Sequence, residues 1–201
     1  MGQKAQITPS RIQQFRSNYP DRFWALVIFL LAFLQFSNTL THDYAWDDAI
    51  VITENSRTQK GFSGIPEQWQ EHTRQTLEDF SGYRPLTLTS FNLDIGFFGK
   101  RPGPAHAMNV IYFGLLAMVI YFTLRKLFPD HHGYFALFVT LLFVVHPLHT
   151  EVVANIKSRD EIFVMLFGML SLIAWINLLR GDGWKWAFFS LIFLVLATLS
   201  R

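Results

Sequence analysis

Long apolar runs separated by polar stretches dominate the chain. Three of these runs read FWALVIFLLAF, YFALFVTLLFVV and WAFFSLIFLVLA. A helix needs about 20 mostly apolar residues to cross the roughly 30 Å hydrocarbon core of a bilayer. The pattern predicts an all-α polytopic membrane protein with about five transmembrane helices, at residues 23–40, 106–124, 134–147, 162–179 and 184–199.

The segment 41–105, between the first two predicted spans, is too long for a simple turn and too apolar for a disordered loop. Within it, side chains suited to one buried face recur at spacings of four and three: Ile65, Trp69, Thr73, Leu77 and Phe80. This spacing predicts an amphipathic helix lying in the membrane interface. In the stretch RPLTLTSFNLDIGFFG that follows, Pro85 suits a first helical turn and Asp94 argues against a free span. We therefore predict a second interfacial or partly inserted helix there.

The composition agrees with a membrane protein and excludes some chemistry. Hydrophobic residues make up 51% and charged residues 16% of the chain, whereas a soluble domain carries about 25% charged residues. Cysteine is absent, which excludes disulfides, thiolate metal sites and a cysteine nucleophile. We expect the lipid bilayer as a partner, and no nucleic acid.

The basic residues predict how the spans are oriented. The leader, residues 1–22, holds four basic residues and one acidic residue, and the turns 125–133 and 180–185 are also basic. Because cytoplasmic loops carry an excess of Lys and Arg, the N-terminus and both turns are predicted to be cytoplasmic. The segments 41–105 and 146–161 then lie outside the cytoplasm. The leader does not resemble a cleavable signal peptide, so we expect the first helix to be retained.

Four polar motifs that are distant in sequence share this predicted outer face: WDD, YRPLT, HPLHTE and KSRDE. In the first, Asp47 and Asp48 are adjacent. One interpretation is that they cap a short helix at its N-terminus. The other is that a carboxylate acts as a general base, or binds a divalent cation. The metal requirement stays open at this point.

The remaining motifs add histidines and cations. His146, His149 and Glu151 form a cluster, but their spacing is not the H-E-x-x-H pattern of a zinc helix. The candidates for binding a phosphate are Arg84, Lys157 and Arg159, because a guanidinium can donate two parallel bonds to phosphate oxygens. In this interpretation the Asp160 carboxylate holds the Arg159 guanidinium in place. The alternative is an ordinary helix start, with Ser158 and Glu161 as a capping box.

The order of motifs resembles one known family. The series WDDAIVITEN, YRPLTLTSFNLD, PAHAMNVIYFGL and HPLHTEVVANIKSRDEI is similar to the membrane module of the transmembrane and tetratricopeptide-repeat-containing O-mannosyltransferases, which have the C-type glycosyltransferase fold. The resemblance implies a polyprenyl-phosphate sugar donor and a protein acceptor outside the cytoplasm. It implies that Asp47 is the general base and Asp48 supports it. His146, His149, Glu151, Arg159 and Asp160 match the outer-face motif of the family.

The resemblance also sets expectations for the whole protein. The family has more spans than five and carries repeats after them, so the chain is expected to be an N-terminal fragment with an incomplete C-type fold. We expect it in a bacterial inner membrane, or in the endoplasmic reticulum of a eukaryote. The expected reaction is transfer of a sugar, such as mannose, to a Ser or Thr hydroxyl. The alternatives are a lipid or glycan acceptor on the same fold, or a transporter or scaffold subunit.

Overall fold

The computed structural model describes residues 20–70, 84–129 and 134–201, and these ranges contain helices and no strands. The helices of 12 residues or more are α1 (Asp21–Gln35), α2 (Pro85–Phe98), α3 (Pro102–Leu127), α4 (Tyr134–Val145), α5 (Arg159–Leu179) and α6 (Lys185–Leu199). Pro85 and Pro102 occupy the first turns of α2 and α3, where a missing N–H costs no helical hydrogen bond. The predicted all-α class is confirmed for the described residues.

Short helical segments connect these helices. Before α2 they are the 3₁₀ turn Ser37–Thr41, the α turn Trp46–Asp48, the π turn Ala49–Thr53, the 3₁₀ segment Thr58–Gly64 and the helix Ile65–Gln70. Between α4 and α5 they are the helix His149–Ala154 and the 3₁₀ turn Ile156–Ser158. Two glycines with positive φ, Gly181 and Gly183, form the turn between α5 and α6, where a side chain would be strained.

In the described part of the chain, two helical stretches are long and apolar enough to cross a membrane: α3, with 26 residues, and Ile156–Leu179, with 24. α1, α4 and α6 lie where apolar spans were predicted, but they have 15, 12 and 15 residues, fewer than the roughly 20 that a perpendicular span needs. The first predicted span is divided, because α1 ends at Gln35 and the chain tightens into Ser37–Thr41. The five-span architecture stays a prediction.

α3 is the central helix of the bundle. α1, α4 and α5 pack around it, and the buried side chains at this core include Ile28, Val110, Phe113, Ala117, Val144 and Ile162. Gly114 permits the close approach of α1, since a Cβ at that position would collide with the Phe29 ring. α6 packs on α5, where the Ser171 and Ser190 hydroxyls lie 3.0 Å apart. Its other faces expose large apolar side chains.

The end of the bundle that holds the N-terminus of α1 gathers the basic turns. Arg125 pairs with Asp21 at 3.2 Å, Lys126 donates to the Asn177 side chain, and Arg180 donates to the Lys126 carbonyl. The two turns predicted to be cytoplasmic therefore lie at the same end as the start of α1. Arg125 and Ala105 are 20 residues apart on α3, so the two ends are roughly 30 Å apart.

Part of the predicted amphipathic helix is observed, as Ile65–Gln70; positions 71–80 of that prediction lie outside the described residues. Trp69 is exposed and donates its indole N–H to the Thr89 hydroxyl of α2 at 3.0 Å. Asn92 of α2 is fully buried and donates to the Arg57 and Gly61 carbonyls at 2.9 and 2.8 Å. α2 therefore holds the segment that precedes it in sequence.

Candidate functional site

The two adjacent aspartates have different environments. Asp48 is 0% exposed, and its two oxygens accept from two backbone N–H groups, one of Ala45 and one of Lys157, each at 2.8 Å. Burial raises the pKa of the Asp48 carboxyl above its ordinary value of 3.8, and these two hydrogen bonds oppose that effect. Asp48 thereby joins the segment 41–105 to the start of α5. The capping interpretation describes this residue in part, since the Ala45 N–H belongs to its own turn.

Asp47 is the accessible member of the pair. Its side chain is 49% exposed, and one carboxylate oxygen lies 3.3 Å from the Lys157 ammonium. Lys157 therefore contacts both acids, through its backbone N–H to Asp48 and through its side chain to Asp47. This contact places a carboxylate and a cation side by side with access to solvent.

A second ion pair lies close to the first along the chain. Arg84, which directly precedes α2, places its guanidinium 2.7 Å from the Asp160 carboxylate. Asp160 is three residues beyond Lys157 and lies in the first turn of α5. The Arg84 side chain is 26% exposed and that of Asp160 is 7% exposed. Arg84 therefore neutralises a buried acid and keeps part of its surface accessible.

Arg159 lies in the protein interior, with 0% of its surface exposed. Its guanidinium is 2.7 Å from the Asp94 carboxylate of α2 and stands over the Phe91 ring at 4.6 Å. Burial raises the pKa of Asp94, and the Arg159 charge opposes this effect. Asp160 pairs with Arg84 and does not hold the Arg159 guanidinium, and the assignment of Arg159 to a donor phosphate stays a prediction. Consecutive helical side chains diverge, so Arg159 and Asp160 pair with different partners.

The histidine motif forms an aromatic cluster. The His149 ring lies 4.2 Å from the Phe143 ring centroid and 5.4 Å from that of Phe113, and the His146 ring is 5.9 Å away. Burial, and next the neighbouring His146, lower the pKa of His149, which favours its neutral form. Glu151 is exposed. The motif therefore packs at the end of α4, and its place in a reaction stays a prediction.

Metal binding was left open by the sequence. Within the described residues, no group of three or more His, Cys, Asp or Glu side chains is arranged to hold a metal ion. Both Asp48 oxygens already accept from backbone N–H groups. Of the two adjacent acids, Asp47 is therefore the one whose carboxylate is open to a ligand.

An open groove of about 460 Å³ lies beside the acidic pair. Tyr44, Ala45, Ala49, Ile50, Thr53 and Glu54 line it. These residues lie on the turns that carry Asp47 and Asp48. Burial, and next the Asp48 charge, raise the pKa of Tyr44, which keeps its phenol protonated.

Sequence reasoning missed several polar residues that build this region. Asp94 was read only as an obstacle to a span, and Asn92 and Asn109 were not singled out. All three are buried. A polar residue in an apolar helix was the available signal, because such a group must find a partner within the protein.

Proteins of known activity are similar to most of this chain. Protein O-mannosyl-transferase TMTC1 of Mus musculus is 32% identical over 149 residues, which are 71% of this chain and 15% of that protein. Protein O-mannosyl-transferase TMTC2 of Homo sapiens is 31% identical over 175 residues, 80% of this chain and 20% of that protein. Protein O-mannosyl-transferase TMTC4 of Mus musculus is 27% identical over 194 residues, 88% of this chain and 26% of that protein.

The chain thus spans between 15% and 26% of the length of these curated relatives. No family model matches the sequence. No solved structure matches it either.

Proposed function

Because this chain is a homologue of the protein O-mannosyl-transferases TMTC1, TMTC2 and TMTC4, as its motifs predicted, we propose that it is part of a membrane-embedded glycosyltransferase. The enzyme moves a hexose such as mannose from a polyprenyl-phosphate donor to a Ser or Thr hydroxyl of a protein. One observation carries the proposal: an accessible carboxylate, Asp47, pairs with the partly exposed cation of Lys157. A general base and a phosphate ligand are the two groups that this transfer needs.

Asp47 takes the proton from the acceptor hydroxyl, whose oxygen attacks the anomeric carbon of the sugar. The bond between that carbon and the phosphate oxygen of the donor breaks, and the phosphate leaves with the electron pair. This displacement inverts the anomeric centre. Asp48 is fully buried and both of its oxygens are engaged, so it positions the turn and does not meet the acceptor.

Negative charge on the leaving phosphate has to be stabilised. Lys157 contacts Asp47, and Arg84 pairs with Asp160, three residues further along the chain; the Lys157 and Arg84 side chains are 31% and 26% exposed. An ammonium acts as a point charge, whereas a guanidinium donates in a fork. We assign both to the donor phosphate, whose developing charge they stabilise.

The site lies at the bundle end opposite the basic turns. Because an excess of basic residues marks the cytoplasmic side, we place the acidic pair on the extracytoplasmic side of the membrane. That is the outer face of a bacterial inner membrane, or the lumen of the endoplasmic reticulum in a eukaryote. A lipid-borne donor reaches such a site from the bilayer, and an acceptor protein reaches it from the aqueous side.

Asp47→Asn in the full-length enzyme tests the base. We expect turnover of a polyprenyl-phosphate mannose with an acceptor peptide to fall by about a hundredfold or more, the effect of a lost general base. The thermal midpoint should be unchanged, since the carboxylate is half exposed. Asp43→Asn, which changes an exposed acid four residues earlier, is the matched control. Full turnover by Asp47→Asn would refute the assignment, and transfer to glycolipid but not to peptide would redirect it to the alternative acceptor.

A further inference from the structure

We propose that Arg159, together with Asn109 and Asp94, is the positioning device of the site and holds Lys157 in place from both sides. This inference rests on the proposed function, because it assigns a role to groups that support Lys157. None of the three touches the acceptor or the donor in this arrangement. Their role is to fix where the start of α5 places its side chains.

Arg159 is held by contacts in several directions. Its Nε donates to the Asn109 side chain of α3 at 2.7 Å, one Nη donates to the Ser90 hydroxyl of α2 at 3.0 Å, and the other Nη donates to the Ala105 carbonyl at 3.0 Å. The Asp94 carboxylate lies 2.7 Å from the guanidinium. A buried charge is tolerated only when it is paired and hydrogen-bonded, and both conditions are met here. The entry of α5 is thereby joined to α2 and α3.

Asn109 acts on the other side of Lys157. Its oxygen accepts from Arg159, and its amide lies 3.2 Å from the Asn155 carbonyl and 3.5 Å from that of Ile156. The Asn109 side chain therefore contacts Ile156, immediately before Lys157, and Arg159, immediately after Ser158. The segment in between has little freedom to shift along α3.

The residues on either side of Arg159 make the two accessible ion pairs. Lys157 directs its backbone N–H to Asp48 and its ammonium to Asp47, and Asp160 directs its carboxylate to Arg84. A displacement of the α5 entry would move Lys157 relative to the base and Asp160 relative to Arg84. Errors of about 1 Å in such positions cost on the order of a hundredfold in rate, which is a sufficient reason to bury an arginine here.

Arg159→Lys separates the charge of this residue from its geometry. A lysine keeps the positive charge opposite Asp94, but it cannot donate at once to Asn109, Ser90 and the Ala105 carbonyl in the fork geometry. Asn109→Ala is the complementary variant, because it leaves the Asp94–Arg159 pair intact and removes the contacts on both sides of Lys157. Arg125→Gln is the matched control: it removes another interhelical Arg–Asp pair, at the opposite end of the bundle.

The first measurement is geometric and does not depend on activity. A cysteine pair at positions 47 and 157, in a background without other cysteines, reports on the distance between these side chains. We expect a short bismaleimide to cross-link the pair readily in the parent and with Arg125→Gln. The cross-linking rate should fall several-fold when Arg159→Lys or Asn109→Ala is added. Unchanged rates in both variants would overturn the positioning role.

The second measurement is kinetic and uses the enzyme with Asp47 and Lys157 in place. We expect kcat to fall by about tenfold to a hundredfold in Arg159→Lys and Asn109→Ala. The donor KM should rise less than in Lys157→Gln, because the ammonium is displaced but still present. A large rise in KM with constant kcat would instead make Arg159 a donor ligand and reject the proposal. Failure of both variants to fold, with Arg125→Gln folded, would also reject it in favour of a general structural role. If the parent shows no transferase activity, the proposed function fails while the cross-linking result still stands.

Discussion

At the residue scale, burial separates two side chains that the sequence presents as equivalent. Asp48 is enclosed and accepts two backbone N–H groups, whereas Asp47 is half exposed and contacts only a flexible ammonium in the described contacts. A substitution at each position should therefore damage a different property. Position 48 should affect mainly the fold, and position 47 mainly the chemistry.

Asp48→Asn should lower stability as well as activity. One Asn nitrogen would face a backbone N–H, of Ala45 or of Lys157, so one hydrogen bond is lost and two donors oppose each other. We expect the free energy of unfolding to fall by about 1–3 kcal/mol, the cost of an unsatisfied buried group. Thermal unfolding in detergent, compared with Asp47→Asn, measures the difference. Equal midpoints for the two variants would contradict the linking role of Asp48.

The raised pKa of Asp48 also predicts a pH dependence. The pKa of this carboxyl is 3.8 in the unfolded chain, and burial raises it in the folded chain. At a pH between the unfolded and the folded pKa, the unfolded chain therefore binds fewer protons than the folded one. The stability contributed by this group is fully present below the unfolded pKa and is lost as pH rises through the folded pKa. Thermal midpoints recorded across this window should decrease with pH less steeply in Asp48→Asn than in the parent. Parallel curves would count against this effect of burial.

Lys157→Gln should weaken donor binding without unfolding the site. The substitution removes the ammonium but keeps the backbone N–H that Asp48 accepts. We expect the donor KM to rise about tenfold or more, on the scale of a charge-assisted hydrogen bond. Lys60→Gln is the control, because it breaks an exposed ion pair with Glu67 in the segment 41–105. An unchanged donor KM in Lys157→Gln would remove this residue from the donor site.

At the element scale, α2 organises the segment before it. Asn92 donates to carbonyls of the Thr58–Gly64 turn and its neighbour Arg57, and Gly64 lies so close that a Cβ there would collide with the Arg57 carbonyl. The segment contains few other long-range polar anchors among the described contacts. Its order should therefore depend on Asn92.

Asn92→Ala should release this segment. Three carbonyls would lose a donor, and we expect a loss of about 1–3 kcal/mol of local stability. Faster tryptic cleavage after Arg57 and Lys60 measures the release. Leu93→Ala, at an exposed position of the same helix, should cleave at the parental rate; acceleration by both variants alike would mean that Asn92 is not specifically required.

At the scale of the whole molecule, the candidate site around Asp47 and Lys157 lies at one end of the bundle and the basic turns lie at the other. Cysteine labelling with a membrane-impermeant maleimide tests the predicted orientation. Ser63, in the segment 41–105, and Asp182, in the turn between α5 and α6, are exposed and suit this labelling. We expect Ser63→Cys to be labelled from outside intact cells or spheroplasts and Asp182→Cys to be protected until the membrane is permeabilised. The reverse pattern would place the acidic pair in the cytoplasm and defeat the proposed donor geometry.

The sequence by itself determined the helical class, the places of the apolar helices and the relationship to the protein O-mannosyl-transferases. Hydrophobic runs, proline at helix starts and motif order are local features, so they can be read without knowing which elements meet. Helix ends were less accessible: the first apolar run continues past Gln35, yet the helix stops there.

Only the tertiary structure decided how the charges pair. Arg159 and Asp160 are adjacent in sequence, but one points into the bundle toward Asp94 and the other toward Arg84, because successive helical side chains are about 100° apart. The same holds for Asp47 and Asp48. Which of two neighbouring polar groups is buried depends on the elements packed against them, and sequence spacing does not contain that information.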